Sequence, residues 1–265
     1  MKADRAKILW RCRRGIRELD SVLKPFAEDC YDELSPLDRT RLQTLLGYQD
    51  TQDPSITVRF RVRGKQRLSI LAWTTTPWTL PSNMALAVGP NIPYTRVTTT
   101  DGESLILARD RMDAVFEKDS AEIVSISEQP VEELLTMSYE PLFNHFASQR
   151  DEGAFRVVAA DFVSTEDGTG IVHIAPGFGE EDHLLSQRAG IPVICPIDAD
   201  CCFTEEIPEY AGQFVKDADT PIIRSLRGAG MLFSESTLVH NYPFCWRCDA
   251  PLIYRTVSTW FVRVE

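Results

Sequence analysis

The central part of the chain is a succession of short apolar runs broken by turn residues, and the period of each run assigns it to an element. In SITVRFRVRG, Val58, Phe60 and Val62 fall on one face and Arg59, Arg61 and Arg63 on the other, the period of two expected of a half-buried strand. Similar runs predict strands at 68–76, 84–88, 93–98, 104–108, 121–126, 155–160, 170–175, 191–195, 231–239 and 252–257. Helical spacing is confined to about 110–118, 180–189 and 218–228, with a further helix expected within the acidic stretch 25–46. Many short strands and few helices predict an α+β fold, a β-barrel-like core of short strands with peripheral helices.

Composition narrows the class without naming a function. At 265 residues the chain can bury one large core or two modest ones. No apolar run reaches the length of a membrane span, and the basic N-terminus lacks the apolar core of a secretory signal, so a cytoplasmic location is expected. The seven cysteines are odd in number and irregularly spaced, which fits reduced thiols better than a disulfide framework. Lys and Arg total 28 against 39 Asp and Glu, a formal charge of -11. Such a chain binds nucleic acid weakly by itself, because neutralised phosphates supply most non-specific affinity. The arginine face of the first strand, with Lys65 and Arg67 after its turn, could meet phosphate, but a solvated strand face is the simpler reading.

The passage LAWTTTPWTLPSN carries the first chemical signal. Alternation sets Ile70, Ala72, Thr74 and Thr76 on one face and Leu71, Trp73 and Thr75 on the other. Pro77 removes an N–H donor and keeps Thr76 extended, so the ladder stops there and its hydroxyl is presented at a rim. Hydroxyls that donate and accept suit a site holding a water beside a sugar or an ester. Threonine also simply favours strands.

The second signal is GTGIVHIAPGFGEEDHLLSQ. Glu180, Glu181 and Asp182 open a helix that ends before Gly190, where the dipole favours acids. Asp182 shares a face with Leu185, Ser186 and Ala189 and is expected to point inward, ionised, as a receptor for an ammonium group. His173 sits in the strand 170–175, where a packed core histidine is the ordinary expectation. The glycines of GTG and GFG match no phosphate-loop spacing and read as turns where backbone approaches closely. Cys245-x-x-Cys248 is half of a four-ligand zinc signature whose other half is missing, so no metal is assigned and free thiols are expected.

Taken in order, WTTTPWTLPSN, GTGIVHIAPGFGEEDHLLSQ and YPFCWRCDAPLIYRTVSTWFVRV resemble three stretches of the editing domain, the insertion called connective polypeptide 1, of isoleucyl-tRNA synthetase. The resemblance spans roughly 47–265 and implies the fold of the valyl, isoleucyl and leucyl editing domains. It matches 1–46 poorly, leaving that stretch as an N-terminal connecting segment, and implies an editing domain at 47–240 and a return segment toward the aminoacylation domain at 241–265. Valyl and leucyl relatives usually carry Arg where this chain has Thr76. At Cys202 the chain departs from the family's usual glycine.

The resemblance further implies a hydrolase that clears wrongly charged tRNA. A pocket rejects a side chain one methylene shorter by only about 1 to 3 kcal/mol, the isoleucine and valine pair of this same family being the standard illustration, so a second site must hydrolyse the smaller product. The expected substrate is Val-tRNA(Ile), with valyl-adenylate as a further one. Thr74, Thr75, Thr76 and Asp182 are the expected catalytic set, Asp182 holding the α-amino group. His173 is expected to limit the pocket, beside Trp78, with Asn83 fixing the loop. Tyr242 matches a family tyrosine near the pocket and equally fits an ordinary core aromatic. No cofactor is expected for editing. The expected partners are the aminoacylated 3′ end of tRNA(Ile), the valine moiety and the remainder of a parent synthetase, with the chain a monomer. The synthetase signatures for ATP are absent, so the chain itself cannot activate an amino acid. A non-catalytic docking or zinc-binding module that has lost editing is the alternative.

Overall fold

The computed structural model describes residues 9–12, 48–117, 122–245 and 249–257. Eleven strands are present among them: β1 Leu9–Cys12, β2 Tyr48–Arg61, β3 Leu68–Thr74, β4 Ala85–Val88, β5 Tyr94–Thr99, β6 Ser104–Ala108, β7 Ile123–Gln129, β8 Arg156–Ala159, β9 Ile171–Ile174, β10 Leu232–Pro243 and β11 Leu252–Arg255. The α-helices are α1 Met112–Phe116, α2 Val131–Leu134, α3 Glu180–Ala189 and α4 Asp219–Gly228.

Strand β3 is the hub. Antiparallel β2 takes one of its edges, from Ile56 opposite Thr74 to Arg61 opposite Ser69. Its other edge is shared by two parallel partners, β6 at Leu68 to Ile70 and β9 at Trp73 opposite Val172. The sheet therefore runs β7-β5-β6-β3-β9-β4-β8, with β2 and β10 branching from β3, and curls into a half-barrel. The alternation read from the sequence holds: Ile70 and Ala72 enter the main core with Val58 and Phe60, whereas Leu71 joins Val97, Leu105 and Phe116 on the opposite face, under α1.

The turn before β9 fits against β3 and β6 only because it lacks side chains. Gly168 and Gly170 have φ of 65° and 71°, a Cβ on Gly168 would lie 2.8 Å from Trp73 Cε3, and one on Gly170 would overlap the Ala108 methyl. The arginine face of β2 is paired rather than free. Arg59 bridges Glu103 at 3.2 Å, Arg63 bridges Glu140 at 3.6 Å, Arg61 donates to the Ala229 carbonyl and Arg67 to the Asp101 carbonyl.

Several expected boundaries move. No strand forms at 191–195, where Pro192 withholds an N–H; the run instead lays the Ile194 carbonyl against Gly177. The expected strand 68–76 stops at Thr74, and Pro77–Ser82 is a 3₁₀ helix. Strands β2 and β10 are longer than the alternation suggests because they pair with each other over nearly their whole length. The helix expected within 25–46 lies outside the described residues.

Replacing Gly170 with Ala is expected to destabilise the domain by about 2 kcal/mol, from a left-handed backbone angle combined with a methyl overlap, read as a lowered denaturant midpoint at unchanged slope. An unchanged midpoint would show that the turn is not tightly constrained.

Candidate active site

Strands β3 and β9 run in the same direction, so their C-terminal ends reach the same edge of the sheet. The threonine passage leaves one and the aspartate passage leaves the other. Side-chain contacts tie them directly: Thr79 Oγ1 lies 2.9 Å from His173 Nε2, and the Trp78 ring meets Phe178 edge-to-face with centroids 4.9 Å apart. Residues about a hundred positions apart along the chain thus form one site.

The threonine hydroxyls form a connected chain. Thr74 Oγ1 accepts the Thr76 N–H at 3.0 Å and lies 3.2 Å from Thr76 Oγ1, which lies 3.3 Å from Thr79 Oγ1. Thr79 donates its proton to the Thr76 carbonyl at 2.8 Å. Thr74 and Thr79 are buried, Thr75 and Thr76 half-buried. Thr75 falls in the bend after β3, and its hydroxyl makes no hydrogen bond among the described residues.

His173 is buried between Thr79 and Asn83, whose Nδ2 is 3.4 Å from His173 Nδ1. Burial lowers its pKa to about 4, so the ring is neutral at physiological pH. Asn83 also donates to the Ala85 carbonyl at 2.9 Å and accepts the Tyr139 hydroxyl at 2.6 Å.

Asp182 opens the first turn of α3 and turns its carboxylate back to the end of β9, where Oδ2 accepts the Ala175 N–H at 2.8 Å. Gly179 makes room: a Cβ there would stand 3.2 Å from Asp182 Cγ. Among the described residues no Lys, Arg or His lies in ion-pair range of this carboxylate. Burial raises its pKa to about 6, the Ala175 N–H opposes that, and Glu181 adds to it. Desolvation outweighs the helix terminus that was expected to keep the group fully ionised, yet at neutral pH it is still mainly charged.

Trp78 is fixed from behind. Its backbone N–H donates to Asp219 Oδ1 at 2.8 Å, and Asp219, the first residue of α4, has its pKa raised to about 7 by burial, against the opposing pull of Lys216 and the Trp78 N–H. Tyr242 belongs to this supporting layer: its hydroxyl donates to the Leu252 carbonyl at 2.6 Å and Lys216 sits 4.4 Å above its ring. Thr79, Tyr139, Phe178 and Asp219 were not anticipated. Thr79 follows Thr76 by one 3₁₀ turn and was legible from that spacing; Tyr139 and Asp219 carry no local signal.

Cys245 is buried and Cys248 lies outside the described residues. Among the described residues no three His, Cys, Asp or Glu side chains gather as metal ligands, and no helix is long and apolar enough to cross a membrane.

A carboxylate whose pKa rises on folding favours the folded state below its unfolded value near 4, and that stability is lost as the pH rises through about 6. Asp182→Asn is therefore expected to raise Tm at pH 7.5, with the gain shrinking as the pH falls from 6 toward 4. A variant less stable than the parent at pH 7.5 would contradict this.

Comparison with known proteins places the chain among tRNA ligases. Isoleucine–tRNA ligase of Bdellovibrio bacteriovorus is 50% identical over 82% of this chain and 21% of its own length. That of Treponema denticola is 43% identical over 97% of the chain and 26% of its length, and the cytoplasmic enzyme of Mus musculus 43% over 95% and 20%. The chain thus spans about a fifth to a quarter of these relatives. A solved structure titled "The crystal structure of GlLeuRS-CP1" superposes on 70% of the chain and 99% of its own, with TM-score 0.50 at 14% identity, a likeness of fold. A family model described as "Flavinator of succinate dehydrogenase" matches residues 6–55, most of which lie outside the described residues. By sequence the chain belongs to the isoleucyl-tRNA synthetase family, and its fold is of the connective polypeptide 1 editing-domain type.

Proposed function

We propose that this domain hydrolyses the ester of Val-tRNA(Ile), and also accepts valyl-adenylate, which presents the same aminoacyl group. The observation that carries the reading is a carboxylate with no cationic partner among the described residues, set with a row of hydroxyls at the C-terminal ends of two adjacent parallel strands. Asp182 receives the α-ammonium, and the terminal adenosine lies along Thr74 to Thr76. Trp78, Phe178 and His173 wall the short branched side chain.

An aminoacyl ester is already labile, so orientation of a water supplies much of the needed acceleration. The water oxygen bonds to the ester carbonyl carbon, the bond from that carbon to the ribose oxygen breaks, and the ribose oxygen leaves with a proton. The products are valine and tRNA with its terminal hydroxyl restored. Thr76 suits the orienting role because its own proton is committed to Thr79, which leaves a lone pair to accept a hydrogen bond from the water. His173 is neutral and acts as a wall, without supplying a proton. The remainder of a parent synthetase delivers the tRNA end to this acidic domain, which acts as a monomer within it. The cytoplasm is the proposed location, as the name of the mouse relative states for that protein.

Release of valine from Val-tRNA(Ile) is the measurement. Asp182→Ala and Thr76→Ala are each expected to slow it about 10²-fold. The parent rate is expected to fall as the pH drops through about 6, where Asp182 loses its charge. Unchanged rates in both variants would remove the assignment.

A further inference from the structure

We propose that Tyr139, acting through Asn83, is a positioning residue that sets which nitrogen of His173 carries the proton, and thereby the direction of the hydroxyl chain ending at Thr76. The inference rests on the proposed function only for its effect on rate.

The direction follows from groups that have one role each. The Ala85 carbonyl only accepts, so it faces the Asn83 amide nitrogen at 2.9 Å. The Tyr139 hydroxyl donates to Asn83 Oδ1 at 2.6 Å from the opposite side. Burial raises its pKa well above the usual phenol value, so it remains a donor. Its ring is gripped edge-on by Phe60 and Phe155, with centroids 5.2 Å and 6.0 Å away, and cannot swing. The amide is therefore held one way round, with its NH₂ turned toward His173 Nδ1.

A ring nitrogen that faces a donor must accept. The His173 proton then sits on Nε2 and is donated to Thr79 Oγ1. The Thr79 proton goes to the Thr76 carbonyl, so Thr79 can only accept from Thr76, and Thr76 in turn accepts from Thr74. The assignment is consistent at every step, running from a tyrosine deep in the core to a lone pair on Thr76. With the opposite tautomer, Nδ1–H would face the Asn83 NH₂ and Nε2 would compete with the Thr76 carbonyl for the Thr79 proton.

Selective ¹⁵N-histidine labelling of the full 265-residue chain reads the tautomer directly. His173 is expected as Nε2–H at neutral pH; a predominant Nδ1–H signal would overturn the proposal. In Tyr139→Phe, which keeps the ring between Phe60 and Phe155, a growing Nδ1–H population is expected. The same variant is expected to lose about tenfold in kcat for deacylation with KM little changed. An unchanged tautomer would overturn the proposal, as would a changed tautomer with an unchanged kcat. If the parent chain releases no valine at all, the proposed function fails while the tautomer measurement still decides this inference.

Discussion

The parallel pairing of β3 with β9 at Trp73 and Val172 is the constraint on which the rest depends. Two strands that run together end together, and groups leaving those ends meet wherever their positions in the chain. The threonine passage and the aspartate passage could not otherwise share a site. The glycine turn before β9 allows the pairing by letting backbone press against Trp73 and Ala108 without a side chain between them. The 3₁₀ helix that follows β3 then curls Thr79 and Trp78 back over the strand end, where they meet His173 and Phe178.

Electrostatics gives this strand end its character. Two carboxylates, Asp182 and Asp219, are desolvated there, and their pKa values rise to about 6 and about 7. They differ in what they face. Asp219 has Lys216 nearby and holds the Trp78 N–H, so its charge serves the scaffold. Asp182 keeps one backbone hydrogen bond and no basic partner among the described residues, an arrangement that costs stability and leaves the carboxylate available for a cationic ligand. Folds tolerate such groups where function requires them.

Much of this was legible in the residues themselves. Period-two alternation separated Ile70 and Ala72 from Leu71, because the pleat of a strand is a local property, whereas Thr76 lies past the strand end and meets Thr74 through the bend that follows. The helices at 180–189 and 218–228 were readable from apolar spacing and from the glycine after the first of them. The expected strand at 191–195 failed because its apolar run contains a proline and serves as a cover over Gly177. Tyr139 and Asp219 stayed hidden because their importance comes from the side chains they meet across the fold, Asn83 in one case and the Trp78 backbone in the other. The raised pKa of Asp182 could not be read either, since the helix terminus is visible in sequence and the depth of burial is not.

The central claim is that an ionised carboxylate and a directed row of hydroxyls converge on one aminoacyl group. A crystal structure of the chain bound to a non-hydrolysable valyl-adenosine analogue tests it most directly. The analogue's ammonium is expected about 3 Å from the Asp182 carboxylate and its ribose against Thr76. An analogue bound elsewhere, or bound here with Asp182 turned away from it, would contradict the account.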